Sequence, residues 1–249
     1  MSYPATIEKE ILVNQSSELD FSKEQSDHKA LIKSIQILEP FFVRKIPFWK
    51  RGMDILAAIL GLILFFPLML FISLFIKIVS QGPIFFKQER VGYGGKVFKI
   101  WKFRTMEVNN NISNHQRHIN DLIETNQPMK KLDNDPQIIP GGLILRKACL
   151  DELPQLINIL RGDMSLVGPR PDLLYAVEKY ETWHNARFNS IPGLTGLWQV
   201  SGKNKTTYRE MIRLDILYEK HKSFWFDLKI LLLTLPAIIS QVTDGFYQQ

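Results

Sequence analysis

The chain has 249 residues, 45% of them hydrophobic, with a formal net charge of +6 and a pI near 9.3. That length buries one core and leaves room for a membrane element. Cys149 is the only cysteine, which excludes an internally disulfide-stapled fold and fits a reducing, cytosol-facing compartment. The basic balance suits nucleic acid, phosphorylated substrates or an anionic bilayer, and does not choose among them.

Residues 1–48 are mixed in charge and carry no chemistry-bearing motif. They read as an N-terminal extension, helical around Lys29–Leu38 and otherwise loosely ordered. The acidic, polar start lacks the basic-then-apolar order of a signal peptide. Ile55–Ile76, ILAAILGLILFFPLMLFISLFI, is an unbroken apolar run. At 1.5 Å per residue it is long enough for a bilayer core of roughly 30 Å. It is apolar all round, unlike a soluble amphipathic helix, and argues against a soluble nucleic-acid-binding protein.

Pro67 interrupts that run, where it removes a backbone hydrogen bond and kinks a helix. Arg44, Lys45, Lys50 and Arg51 precede the run, and Lys77, Lys87 and Arg90 follow it. A crossing helix carries its basic bias on the cytoplasmic side, so two basic flanks fit a helix that dips in and returns. A plain spanning helix with a tolerated proline is the alternative that residue physics leaves open.

Ile84–Arg90 and Lys96–Arg104 predict two short strands around the turn Gly92-Tyr93-Gly94-Gly95. GYGGKV matches neither dinucleotide-binding nor P-loop spacing. Asn109–Asn114 reads as a polar loop, and nothing nearby completes a zinc site with His115 and His118. At the other end of the chain, Phe224–Ser240 is too short and too interrupted by Asp227, Lys229 and Pro236 for a span. It reads either as an interface helix with Trp225 at headgroup depth or as a core helix.

The segment richest in chemistry is Arg146–Gly162, RKACLDELPQLINILRG. Leu150, Leu153, Ile157 and Leu160 share one helical face. Pro154 belongs in a first turn, so the helix is expected to start near Cys149–Glu152, with Asp151 at its positive end. Adjacent carboxylates on a helix point apart, so Asp151 and Glu152 suit separate tasks: nucleophile and base, or nucleophile and metal ligand. Equally, they are ordinary helix-start residues. Arg170 is held between Pro169 and Pro171, and reads either as a stiffly mounted phosphate-binding guanidinium or as a solvated turn arginine. Pro192–Lys203, PGLTGLWQVSGK, reads either as a nucleotide or sugar site or as a turn-rich connection packed by Trp198.

These pieces stand together in order: Lys50-Arg51 with Asp54, the Pro67 run, QERVGYGGKVFKIWKFRTM, LDELPQLINILRGDMSLVGPRP and PGLTGLWQVSG. Over roughly Lys50–Ser240 the combination resembles the bacterial sugar transferase family, the small monotopic phosphoglycosyl transferases. The resemblance implies a mainly α protein with a small β-hairpin (α+β). It implies monotopic insertion through a Pro-kinked re-entrant helix at 49–80, and a catalytic domain at 81–249 with an amphipathic interface helix. Lys50, Arg51 and Pro67 would anchor the re-entrant helix.

By the same resemblance Asp151 attacks the β-phosphate of a UDP-sugar, UMP leaves, and undecaprenyl phosphate takes the phosphosugar. Glu152 would activate the acceptor or, with Asp151, hold Mg²⁺. Arg146, Arg170 and Lys203 would steady phosphates. Gln137, Ile191 and Lys203 depart from the usual pattern, Lys203 standing where arginine is common. The implied partners are the lipid bilayer and no nucleic acid, with a homodimer open. The implied location is the bacterial inner membrane, active site facing the cytoplasm. A catalytically silent adaptor in polysaccharide assembly is the rival reading.

Overall fold

The structure, a computed structural model, describes residues 46–108, 112–129 and 136–247. The helix expected at Lys29–Leu38 lies outside these residues. Among the described residues the fold is mostly helical, with one antiparallel hairpin and one short parallel strand pair.

Helix α1, Phe48–Val79, runs 32 residues and contains Pro67. Its two ends are polar or packed, and its middle is not. Lys50, Asp54 and Ala58 are buried near the start, and Ile72 and Ile76 near the end. Between them Ile63, Leu64 and Phe66 are exposed.

Strands β1, Phe85–Val91, and β2, Val97–Phe103, pair antiparallel with Phe85 opposite Phe103. The turn between them has Gly94 and Gly95 at positive φ, as the glycine-rich sequence predicts. Helix α2, Ile112–Thr125, begins inside the segment read as a polar loop. Ile119 and Ile123, one turn apart, pack it against Leu173 and Tyr208, so tertiary contact decides its helicity.

Helix α3, Gly142–Lys147, leads into a 3₁₀ turn at Leu150–Glu152 and then helix α4, Gln155–Arg161. The sequence places one helix start at Cys149–Glu152. Instead Pro154 sits immediately before α4, and the Asp-Glu pair occupies its own tight turn. Cys149, at φ 56°, reverses the chain into that turn.

Strand β3, Ser165–Val167, pairs parallel with β4, Gly193–Thr195. Three residues each leave no periodicity to read. Between them lie helix α5, Leu174–Val177, and a 3₁₀ stretch at Thr182–Asn189. Helix α6, Leu197–Val200, follows β4.

Helix α7, Tyr208–His221, opens with a capping box between Thr207 and Glu210. Helix α8, Phe224–Tyr247, outruns the expected Phe224–Ser240. It turns Asp227 and Ile230 into the body and exposes Trp225, Leu232, Leu235 and Ile239. Helices α1 and α8 are both long and apolar enough to cross a membrane.

One hydrophobic cluster joins Ala58, Ile100, Leu156, Ile159, Val167 and Ile230. A second joins Ile72 and Ile76 with Phe103, Ile139 and Leu145. Both ends of α1 are therefore buried in the same body, in clusters that each include a residue of strand β2. Polar groups reinforce each end. Arg51 donates to the carbonyls of Ile159 (2.6 Å) and Leu160 (2.7 Å), capping the C-terminus of α4. At the far end Arg104 donates to Ser80 O (2.9 Å) and Gln81 O (2.6 Å), just past α1.

Lys50 and Arg51, expected at the headgroups, both have partners within the protein. The Lys50 ammonium is buried and bonds Asp227 Oδ2 at 2.6 Å and Val167 O at 2.8 Å. A cation in low dielectric is stable only with such partners, so its charge is satisfied inside the protein and not at the lipid surface. Pro67 does lie in the exposed apolar stretch.

Candidate active site

The 3₁₀ turn carrying Asp151 and Glu152 faces strand β2 and the loop after β3. Arg170 Nη2 donates to Glu152 Oε1 at 2.7 Å, and Lys102 Nζ donates to the same oxygen at 2.7 Å. Arg170 Nη1 stands 3.4 Å from Glu152 Oε2. Asp151 is 8% exposed, and its charge acts on both Lys102 and Arg170. The structure thus gathers Asp151, Glu152 and Arg170 from three separate sequence segments, together with Lys102, which the sequence reading did not single out. Lys102 is one of several cations on the hairpin strands, and nothing local marks it from Lys99 or Lys96.

Lys203 approaches from another side. Its ammonium bonds Gln241 Oε1 at 2.6 Å and lies 3.9 Å from Cys149 Sγ. Gln241 in turn donates to Lys147 O at 2.9 Å, tying α8 to the chain just before Asp151. Cys149 and Lys203, adjacent in space, both hold positive φ without being glycine. Arg146, in the last turn of α3, is half-buried.

Burial would push the Glu152 carboxyl up. Arg170, Lys102, the Arg170 hydrogen bond and Lys203 outweigh it and hold the group well below the ordinary carboxylate range. Burial lowers Lys102, with Glu152 opposing, whereas Glu152 holds Arg170 above its ordinary value. A carboxylate kept ionised so firmly is a poor proton acceptor at neutral pH. In this arrangement Glu152 is the counter-ion that sets two cations beside Asp151.

That bears on the expected Mg²⁺. Magnesium takes oxygen ligands in near-octahedral geometry, drawn from one or two carboxylates, substrate phosphates and water. Among the described residues no three His, Cys, Asp or Glu side chains converge. Glu152 faces Arg170 with both oxygens, so the ligand role expected of it does not fit. Asp151, with diphosphate oxygens and water, is compatible with an ion that arrives on the nucleotide.

The loop bearing Arg170 is packed backbone to backbone. A Cβ on Gly193 would stand 2.1 Å from Gly168 N, and one on Gly196 would stand 2.1 Å from Gly168 O. This explains the two glycines of Pro192–Gly196: they let β4 and its exit lie against Gly168-Pro169-Arg170. Ile191, where a cation is common, is buried at 3% exposure.

The sequence comparison matches the description of a bacterial sugar transferase over residues 45–241. The chain belongs to the bacterial sugar transferase family. It is 43% identical over 191 residues to the exopolysaccharide production protein ExoY of Rhizobium meliloti, covering 76% of this chain and 84% of that one. It is 42% identical over 209 residues to the UDP-glucose:undecaprenyl-phosphate glucose-1-phosphate transferase of Caulobacter vibrioides, covering 80% of this chain and 72% of that one. Identity to the undecaprenyl-phosphate galactose phosphotransferase of Salmonella typhimurium is 41% over 203 residues, covering 80% of this chain and 42% of that protein. In this sugar transferase every element carrying the Asp151 cluster falls inside the matched span.

Proposed function

We propose that this transferase moves sugar-1-phosphate from a UDP-sugar to undecaprenyl phosphate, releasing UMP, at the cytoplasmic face of a bacterial inner membrane. The observation that carries the reading is the buried Asp151 carboxylate beside Glu152, Arg170 and Lys102, on a body from which apolar helix surface projects. The names of the relatives support the substrate classes.

Asp151 Oδ attacks the β-phosphorus as the bond to the UMP oxygen breaks. UMP leaves, and the phosphosugar stays on the carboxylate. A phosphate oxygen of the lipid then attacks the same phosphorus, freeing Asp151 and giving a diphosphate-linked sugar. Arg170 and Lys102 offer positive charge to the phosphoryl oxygens, where charge builds in both steps. Mg²⁺ bound with the nucleotide would neutralise diphosphate charge.

Monotopic insertion fits the same body. A straight helix of 32 residues would span about 48 Å. Yet Ala58 falls in one buried cluster with Ile100 and Ile76 in another with Phe103, and those two β2 residues are only three positions apart. Helix ends buried in clusters that each include a residue of one strand, around an exposed apolar middle with Pro67, support a re-entrant element.

The test is UMP release in detergent with UDP-sugar, undecaprenyl phosphate and Mg²⁺. Asp151→Asn abolishes turnover, and mass spectrometry of wild-type protein with donor alone finds a phosphosugar on Asp151. Full turnover by Asp151→Asn sinks the nucleophile assignment.

A further inference from the structure

Arg170 reaches Glu152 from a loop whose backbone is held at each step. Gly168 N–H donates to Thr195 O at 2.9 Å, and Pro169 O accepts from Gly193 N–H at 2.8 Å. Arg170 O accepts from Arg187 Nη2 at 2.7 Å. Pro171 O accepts from Arg90 Nη1 at 3.2 Å, and Asp172 O from Val91 N–H at 2.9 Å. Pro169 and Pro171 have no N–H to give, so these acceptor bonds hold the segment.

Arg187 stands out among the holders. It is 2% exposed and comes from the 3₁₀ stretch Thr182–Asn189, which supplies no group to the Asp151 cluster itself. Its Nη1 bonds Asp172 Oδ2 at 2.7 Å and Tyr180 Oη at 2.5 Å. Its Nη2 bonds Asp215 Oδ2 at 2.5 Å as well as the Arg170 carbonyl. Asp172 is itself fixed by the Tyr180 hydroxyl at 2.8 Å, the Tyr208 hydroxyl at 2.5 Å and its neighbour's N–H.

A buried guanidinium is expensive to desolvate, and a methionine would fill the volume without that cost. For packing alone, two acidic partners are one more than its charge requires. The contact that packing does not explain is the one to Arg170 O, because that carbonyl is the backbone of the side chain that grips Glu152.

We propose that Arg187 is a positioning residue. It clamps the Arg170 carbonyl from behind, and so sets the guanidinium against Glu152 and the phosphoryl site. The proposal rests on Arg170 acting on substrate phosphate, as read above. A fork holding a phosphoryl oxygen tolerates little displacement, and misplacement by about 1 Å costs on the order of 100-fold in rate.

The experiment is a double-mutant cycle in UMP release, with KM for the UDP-sugar and kcat measured separately. Arg187→Lys keeps the charge for Asp172 and Asp215, but its single ammonium cannot also serve the Arg170 carbonyl in the same geometry. KM is expected to rise about tenfold and kcat/KM to fall on the order of 100-fold. In an Arg170→Ala background the same substitution is expected to change kcat/KM less than about twofold, because the side chain it positions is gone. A smaller folded fraction would lower kcat alone and act equally in both backgrounds.

Tyr180→Phe removes one hydroxyl from the clamp and provides the same comparison where Arg187→Lys does not fold; a smaller, equally background-dependent loss is expected. Equal losses in the two backgrounds, or none in the wild-type background, overturn the proposal. Full activity of Arg170→Ala instead overturns the reading of Arg170 itself, which separates the two failures.

Discussion

Glu152 illustrates how far a residue's role depends on neighbours that its sequence context does not name. Its sequence neighbours suggest a base or a metal ligand, and Arg170 with Lys102 makes it a counter-ion. Its folded pKa lies below the unfolded value near 4.5. Its ionised form therefore contributes stability that is fully present above that pH and is lost as pH falls through the folded value. Glu152→Gln is expected to flatten the acid limb of thermal stability below about pH 4.5 and to leave the slope at neutral pH unchanged. An unaltered acid limb counts against the ion cluster. Asp215 behaves in the opposite way, pushed up to about 6 by burial, with Arg187 opposing, so it adds nothing to that acid loss.

At the scale of elements, close backbone approach and buried ion pairs do the assembling. Gly193→Ala places a methyl group 2.1 Å from Gly168 N, against backbone that has no room to yield. A stability loss of about 1–3 kcal/mol is expected, with UMP release falling further than stability does, since Arg170 lies two residues on from Gly168. Denaturant midpoints and turnover measured on the same preparation check this. Lys50→Met leaves Asp227 buried without its cation, although the Tyr218 hydroxyl remains 2.7 Å from Asp227 Oδ1. A loss of about 3–5 kcal/mol is expected, and Lys50→Met with Asp227→Leu should recover much of it. If Lys50 served lipid headgroups, the single variant would weaken membrane binding and leave stability untouched.

For the whole molecule, the question is where the two ends of α1 lie. Phe48 opens the helix, Gln81 lies just beyond its end, and both are exposed. In a Cys149→Ser background, cysteines at Phe48 and Gln81 are expected to react together with a membrane-impermeant thiol reagent in inside-out vesicles. Neither is expected to react in intact spheroplasts. Reaction of one from each side would mean that the helix crosses. The exposed apolar face of α8, with Trp225 at 75% exposure, is expected to lie along the same surface.

The apolar run, its proline, the hairpin with its glycine turn and the Asp151-Glu152 pair were legible along the chain because each is a local signal: composition, periodicity or turn chemistry. The family resemblance added the roles expected of Asp151 and Arg170. Local pattern could not supply Lys102 as the second cation on Glu152, Lys50 as an internal ion-pair partner, Gln241 reaching back to Lys147, or the three-residue strands β3 and β4. These depend on contacts between residues far apart in sequence. Charge on a strand or helix looks the same in the sequence whether it meets water, lipid or a buried carboxylate, and packing alone decides which.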